Sequence, residues 1–215
     1  MSFKLRNHIK TNPYVTTLVY RNQKVIYFKV GRTASTMITK YVGRNYEEVS
    51  LPYFHSISRD TNDTNEILEK LKDGDAKKYF KFTVVRNPFA RVVAAWKAYN
   101  RKRKVTDDFD SFILDKGVGH LRYEDGSFTN DHWFPQHYYA FYENGVQFVD
   151  YIGKYENLKS VNKNLIENIS ECTSNMTISN LDAKPNYKEM FKKKSVKKKF
   201  CDIYRKDLEL FDYEF

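Results

Sequence analysis

The stretch FKVGRTAST, Phe28 to Thr36, sets a lysine, a glycine, an arginine and the hydroxyls of Thr33, Ser35 and Thr36 side by side. Amides at the start of a helix, short hydroxyl side chains and the charge of Lys29 together make a nest for a phosphate-like anion. An ordinary nucleotide loop ends in Gly-Lys-Ser/Thr, but here Lys29 precedes Gly31. A second basic point follows in VVRNP, where Arg86 leaves an apolar run. Arg91 comes about one helical turn later, as a second contact to the same anion or as half of a structural salt bridge. KFTVVRN carries no acidic residue where a kinase would place its magnesium ligand, which argues against a P-loop kinase and leaves no metal site expected. Histidine, with a free pKa near neutrality, is the economical general base. The five are His8, His55, His120, His132 and His137.

These residues need a scaffold that brings two basic turns together. KVIYFKV is β-branched and aromatic and reads as a strand ending at Gly31; from Thr33 to Gly43, Ala34, Met37, Ile38, Tyr41 and Val42 fall on one helical stripe. KYFKFTVV, Lys78 to Val85, is a second strand, and NPFARVVAAW opens a helix with proline just inside its start. Two strand-to-helix joints in one parallel sheet both lie at the carboxyl ends of their strands, where ligands of α/β sheets bind. The expected fold is therefore α/β: a P-loop-like three-layer domain with a central parallel sheet and a phosphate-binding strand-loop-helix.

Further along, Ile67, Leu68 and Leu71 predict a short helix ending near Gly74, and DDFDSFILDKGVG also reads as helical. HLRYEDGSFTNDHWFPQHYYAFYENG is an aromatic insert not expected to be regular throughout. VQFVDYIGKYENL supplies another strand and leads into a helix at LKSVNKNLIENI. From Tyr187 onward, Phe191, Val196, Phe200, Ile203, Tyr204 and Leu208 keep mostly helical intervals, with seven lysines between Lys188 and Lys199 mainly off that stripe. Those lysines read as a solvated face or as a steering surface for a polyanion.

A chain of 215 residues suits one domain, expected to span 1–215, and the 16 Phe, 17 Tyr and 2 Trp supply a core that disordered sequences lack. The formal charge of +10 calls for an anionic partner without choosing one. Cys172 and Cys201 are too few for a disulfide framework and have no metal-ligand spacing. No secretory signal or membrane-length apolar run is present, so a cytoplasmic or otherwise soluble protein is expected, and the sequons at Asn62, Asn168 and Asn175 read as chance occurrences. RKRK from Arg101 and KKKSVKKKF from Lys192 allow nonspecific phosphate contacts, but no base-reading signature accompanies them and no nucleic acid is expected as partner.

The chain resembles the sulfotransferases that use 3'-phosphoadenosine 5'-phosphosulfate, and within them the carbohydrate branch of chondroitin, dermatan and heparan 2-O enzymes. The loop Pro-Lys-x-Gly-x-Thr of that family is matched by Lys29, Gly31 and Thr33, with Phe28 in place of proline. Its 3'-phosphate signature is matched by Arg86, Pro88, Arg91 and Trp96, with Ala94 where serine is usual. His132, Trp133, Pro135 and Gln136 resemble its His-Trp-x-Pro-Gln segment, while Asp150, Ile152, Gly153 and Glu156 resemble its Asp-x-Ile-Gly-x-x-Glu stretch. Tyr204, Asp207, Phe211 and Tyr213 resemble its closing segment. These landmarks extend from about Lys24 to Phe215.

The resemblance implies transfer of a sulfuryl group from 3'-phosphoadenosine 5'-phosphosulfate to a hydroxyl of a carbohydrate or other acceptor, itself anionic or neutral, releasing adenosine 3',5'-bisphosphate. It implies cofactor contacts at Lys29, Gly31, Arg32, Thr33, Ala34, Ser35, Thr36, Arg86, Arg91 and Ala94. Lys29 is expected to stabilise charge on the leaving oxygen. His55 is the first candidate for the base, with His132 or a carboxylate as the alternative. A sulfotransferase-like protein that only binds glycans is the competing reading, for which Ala94 is the motive.

Overall fold

The computed structural model describes residues 14–52, 75–103, 108–116, 132–142, 144–170, 176 and 186–215. His55, the helix expected near Gly74, Cys172 and the sequons at Asn62 and Asn175 lie outside them. The described residues fall into two compact units, one drawn from Tyr14–Arg86 and Gln136–Asp182, the other from Asn87–Pro135 and the C-terminal segment.

The first unit is built on a five-stranded sheet: β1 (Tyr14–Tyr20), β2 (Val25–Phe28), β3 (Glu47–Pro52), β4 (Phe80–Val85) and β5 (Tyr151–Lys154), in the order β3-β1-β2-β4-β5. The α/β class expected from the sequence is what forms. β2, β4 and β5 run parallel, with Phe28 opposite Thr83 and Val85 opposite Lys154. β1 and β3 extend the sheet antiparallel, β1 reaching β2 through a turn in which Lys24 takes a left-handed φ of 54°. The four residues of β2 are all buried, which explains its continuous apolar sequence: a strand covered on both faces has no polar side to show.

Two helices share one face of this sheet, α1 (Ser35–Val42) and α3 (Leu158–Asn168), a helix α2 (Pro88–Arg103) of the other unit lying between them in sequence. Ile38, Tyr41 and Val42 of α1 and Leu158, Val161 and Leu165 of α3 meet Tyr20, Tyr27, Phe82 and Val84. Tyr27 and Phe82 stack at 4.7 Å. Gly153 lets α3 come this close, since a Cβ there would lie 2.7 Å from a methyl of Val161 and 3.2 Å from one of Val84. On the opposite face Phe28 meets Phe148 edge-on at 5.1 Å.

The second unit is helical and aromatic. Asn87 caps α2, its side-chain oxygen accepting from the amides of Phe89 and Ala90 at 3.0 and 3.3 Å, and Pro88 occupies the first turn where no amide is needed. A helical turn at Phe109–Ser111 runs into a π-helical turn at Phe112–Lys116, a 3-10 turn covers Tyr187–Phe191, and α4 (Lys194–Leu210) follows. Phe89 is the hub, 5.1 Å from Phe191, 4.7 Å from Phe200 and 4.9 Å from Phe215. Helix α4 kinks at Tyr204, whose φ of −102° departs from helical geometry and whose hydroxyl donates to the Trp133 carbonyl.

Candidate anion-binding site

The strand-loop-helix runs from Phe28 through residues 29–34 into α1. Its backbone is strained: Arg32 and Ala34 hold φ values of 69° and 63° without being glycine. Each such residue costs on the order of 1 kcal/mol, a cost that persists where the surroundings fix the conformation. Two of the fixing bonds are visible. The Lys29 amide donates to Thr16 of β1 at 2.9 Å, and the fully buried Thr33 hydroxyl donates back to the Val30 carbonyl at 2.8 Å. Thr33 therefore closes the loop with its hydroxyl instead of offering it outward. Burial pushes the phenol of Tyr27 up, the neighbouring Thr33 hydroxyl opposing it.

Beyond the loop, the first α1 amides with helical acceptors are those of Met37 and Ile38, both on the Ala34 carbonyl. The amides of Ser35 and Thr36 precede them, at the positive end of the helix dipole, and no acidic residue occupies the first turn. Ser35 is half-buried and Thr36 exposed. Lys29, half-buried at the strand end, makes no ion pair with the described residues. Oriented amides, hydroxyls and an ammonium form a set of donors that suits an oxyanion, with no ion-paired counter-charge on Lys29 among the described residues.

Arg86, at the carboxyl end of β4, reaches this loop. Because β2 and β4 are adjacent and parallel, their ends lie at one edge of the sheet, and Nη1 of Arg86 donates to the Arg32 carbonyl at 3.2 Å. The residue is only 8% exposed. Its guanidinium carbon lies 4.2 Å from the centre of the Tyr155 ring. The side chain of Gln136, fully buried, clamps its backbone from both sides, accepting from the Arg86 amide and donating to its carbonyl, each at 2.8 Å. Gln136 appears in the sequence only as part of a motif match, and Tyr155 carries no signal there, since both partners are distant in the chain.

Of the other expected site residues, Arg91, Ala94 and His132 belong to the helical unit, and His55 lies outside the described residues. Arg91 is almost fully buried and donates to the Phe134 carbonyl at 2.8 Å, so it supports the turn that carries Trp133. Ala94 and His132 are half-buried. Burial raises the Tyr204 phenol, with the Arg91 charge lowering it and Asp207 raising it. Lys193 pairs with Asp110 at 2.7 Å, a bond that raises the lysine pKa, and Lys197 lies 3.4 Å over the Phe215 ring. Lys188, Lys192, Lys194 and Lys198 are exposed. Among the described residues no cluster of His, Cys, Asp and Glu is arranged to hold a metal, and no helix is long and apolar enough to cross a membrane.

The α/β sheet turns a lysine-bearing loop and an arginine toward one end of its parallel strands, a donor arrangement of the kind that suits a phosphate- or sulfate-like group. Comparison with protein families narrows this: residues 15–214 match the model of the sulfotransferase family. The chain belongs to that family, whose chemistry is sulfuryl transfer. No curated protein and no solved structure matches it.

Proposed function

We propose that the protein, with residues 1–215 acting as one domain, transfers sulfuryl from 3'-phosphoadenosine 5'-phosphosulfate to a hydroxyl of a carbohydrate. The observation that carries this reading is the hydrogen bond from Arg86 to the Arg32 carbonyl, which sets two basic motifs against one loop. The donor set suits this nucleotide: Lys29 with the amides of residues 31–36 would hold its 5'-phosphosulfate, and Arg86 its 3'-phosphate. When bound, the nucleotide supplies an activated sulfuryl group with a good leaving phosphate. Lys29 then stabilises negative charge where it accumulates, a role worth about a hundredfold to a thousandfold in rate. The base is His55 or His132. The exposed lysines at the start of α4 support an acceptor that is itself anionic.

The test is an acceptor screen with donor carrying radiolabelled sulfate, run with wild type, Lys29→Ala, His55→Ala and His132→Ala. The proposal expects label on a carbohydrate, lost at every pH in Lys29→Ala; loss of the rate rise near the histidine pKa in one histidine variant identifies the base. Nucleotide binding without transfer to any acceptor would favour the glycan-binding reading instead.

A further inference from the structure

Arg86 is held from three directions, and each hold comes from a different part of the sheet-bearing unit. Gln136 fixes its main chain through two 2.8 Å bonds, the Arg32 carbonyl takes Nη1 at 3.2 Å, and Tyr155, just past β5, covers the guanidinium face at 4.2 Å. A guanidinium so confined loses most of its rotamer freedom before any ligand arrives, which leaves less entropy to lose on binding. The Arg32 carbonyl it engages belongs to a residue in the left-handed region, so the same side chain also helps hold the strained loop in shape.

We infer that Tyr155 is a positioning residue for anion binding: its ring face stacks on Arg86 and presets the guanidinium toward the 3'-phosphate of the nucleotide, an inference that rests on the function proposed above. The ring and not the hydroxyl does this, because the guanidinium lies over the face of the tyrosine. Tyr155 is half-buried and packs against the core cluster, and leucine keeps an apolar side chain in that contact while removing the ring face.

The experiment is calorimetric titration of the full chain, as wild type, Tyr155→Phe and Tyr155→Leu, with adenosine 3',5'-bisphosphate and with adenosine 5'-monophosphate, alongside thermal melting. Tyr155→Leu should lose about tenfold in affinity for the bisphosphate, the weight of one partly desolvated cation–π contact. Its affinity for the monophosphate and its melting temperature should stay near wild type, and Tyr155→Phe should bind the bisphosphate as wild type does. Equal binding by Tyr155→Leu, an equal loss in Tyr155→Phe, or a loss shared by both nucleotides together with a lower melting temperature would each overturn the inference. Independently of any variant, ring current should move the Arg86 side-chain protons of wild type upfield in NMR spectra, and ordinary shifts would count against the stack. Failure of wild type to bind the bisphosphate would bring down the underlying functional reading, and it is recognisable because it needs no substitution to show.

Discussion

In the sheet-bearing unit the residues around the anion loop are placed by hydrogen bonds in which the main chain is at least one partner. Lys29 is tied to Thr16, Thr33 to Val30, Arg86 to Gln136 and Arg32. In the helical unit the organising contacts are ring faces and edges converging on Phe89, and the buried polar groups Arg91 and Tyr204 are bonded to the carbonyls of Phe134 and Trp133. Hydrogen bonds fix direction and fail abruptly when one partner goes, whereas an aromatic cluster is non-directional and answers to area. Stability should therefore respond most to the helical unit's rings, and chemistry to single atoms of the sheet unit.

The largest stability effect expected is at the hub of the aromatic cluster. Phe89→Ala should lower the free energy of unfolding by about 3–5 kcal/mol, read from urea denaturation, because the hole left among Phe191, Phe200 and Phe215 cannot close. A loss below about 1 kcal/mol would show that the rings repack freely and would erase the contrast between the units. In the sheet unit the counterpart is Lys29→Ala, which should cut turnover by about a hundredfold to a thousandfold while melting with wild type. If this variant melted much lower, the lysine would be structural and the contrast between the two units would shrink.

Gly153→Ala sits between these cases. The added methyl meets Val161 at 2.7 Å, so α3 must shift, and the cost should be about 1–3 kcal/mol in urea denaturation. Unchanged stability would show that α3 gives way freely at this contact.

Alkaline pH touches both units. The phenols of Tyr27 and Tyr204 are raised by burial, while unfolded tyrosine titrates near pH 10. Below about pH 10 neither state ionises and the full stability is present. As pH rises from there toward the folded pKa, the unfolded state loses protons first and stability falls by about 1.4 kcal/mol per pH unit for each phenol. Tyr27→Phe and Tyr204→Phe should each flatten that decline by one phenol's share in pH-dependent denaturation. An unchanged slope in either would mean that its hydroxyl stays accessible.

What the sequence disclosed follows the same division. β2 and β4 were readable because burial on both faces makes an uninterrupted apolar run, and α2 because Asn87 and Pro88 announce its start. β1 does not stand out in the same way: Thr16 and Thr17, though themselves β-formers, interrupt the apolar run that marks β2 and β4. β3 offered no pattern at all: EEVSLP pairs with β1 through its backbone, and an edge strand with charges and a terminal proline hides its register from any side-chain period. The motif around Lys29 was visible, but the inward turn of the Thr33 hydroxyl was not, nor were the left-handed φ values of Arg32 and Ala34, which non-glycine residues rarely adopt. The clamp of Gln136 and the ring of Tyr155 needed the strands in place, since they act on a residue far away in the chain.

The central claim is that Arg86 and the loop around Lys29 receive one nucleotide. Titration of wild type and Arg86→Ala with adenosine 3',5'-bisphosphate and adenosine 5'-monophosphate tests it most directly. Wild type should prefer the bisphosphate, and Arg86→Ala should lose roughly tenfold to a hundredfold for it, as expected when a charge-assisted hydrogen bond goes, until the two nucleotides bind alike. A variant that keeps the wild-type preference for the bisphosphate would contradict the account.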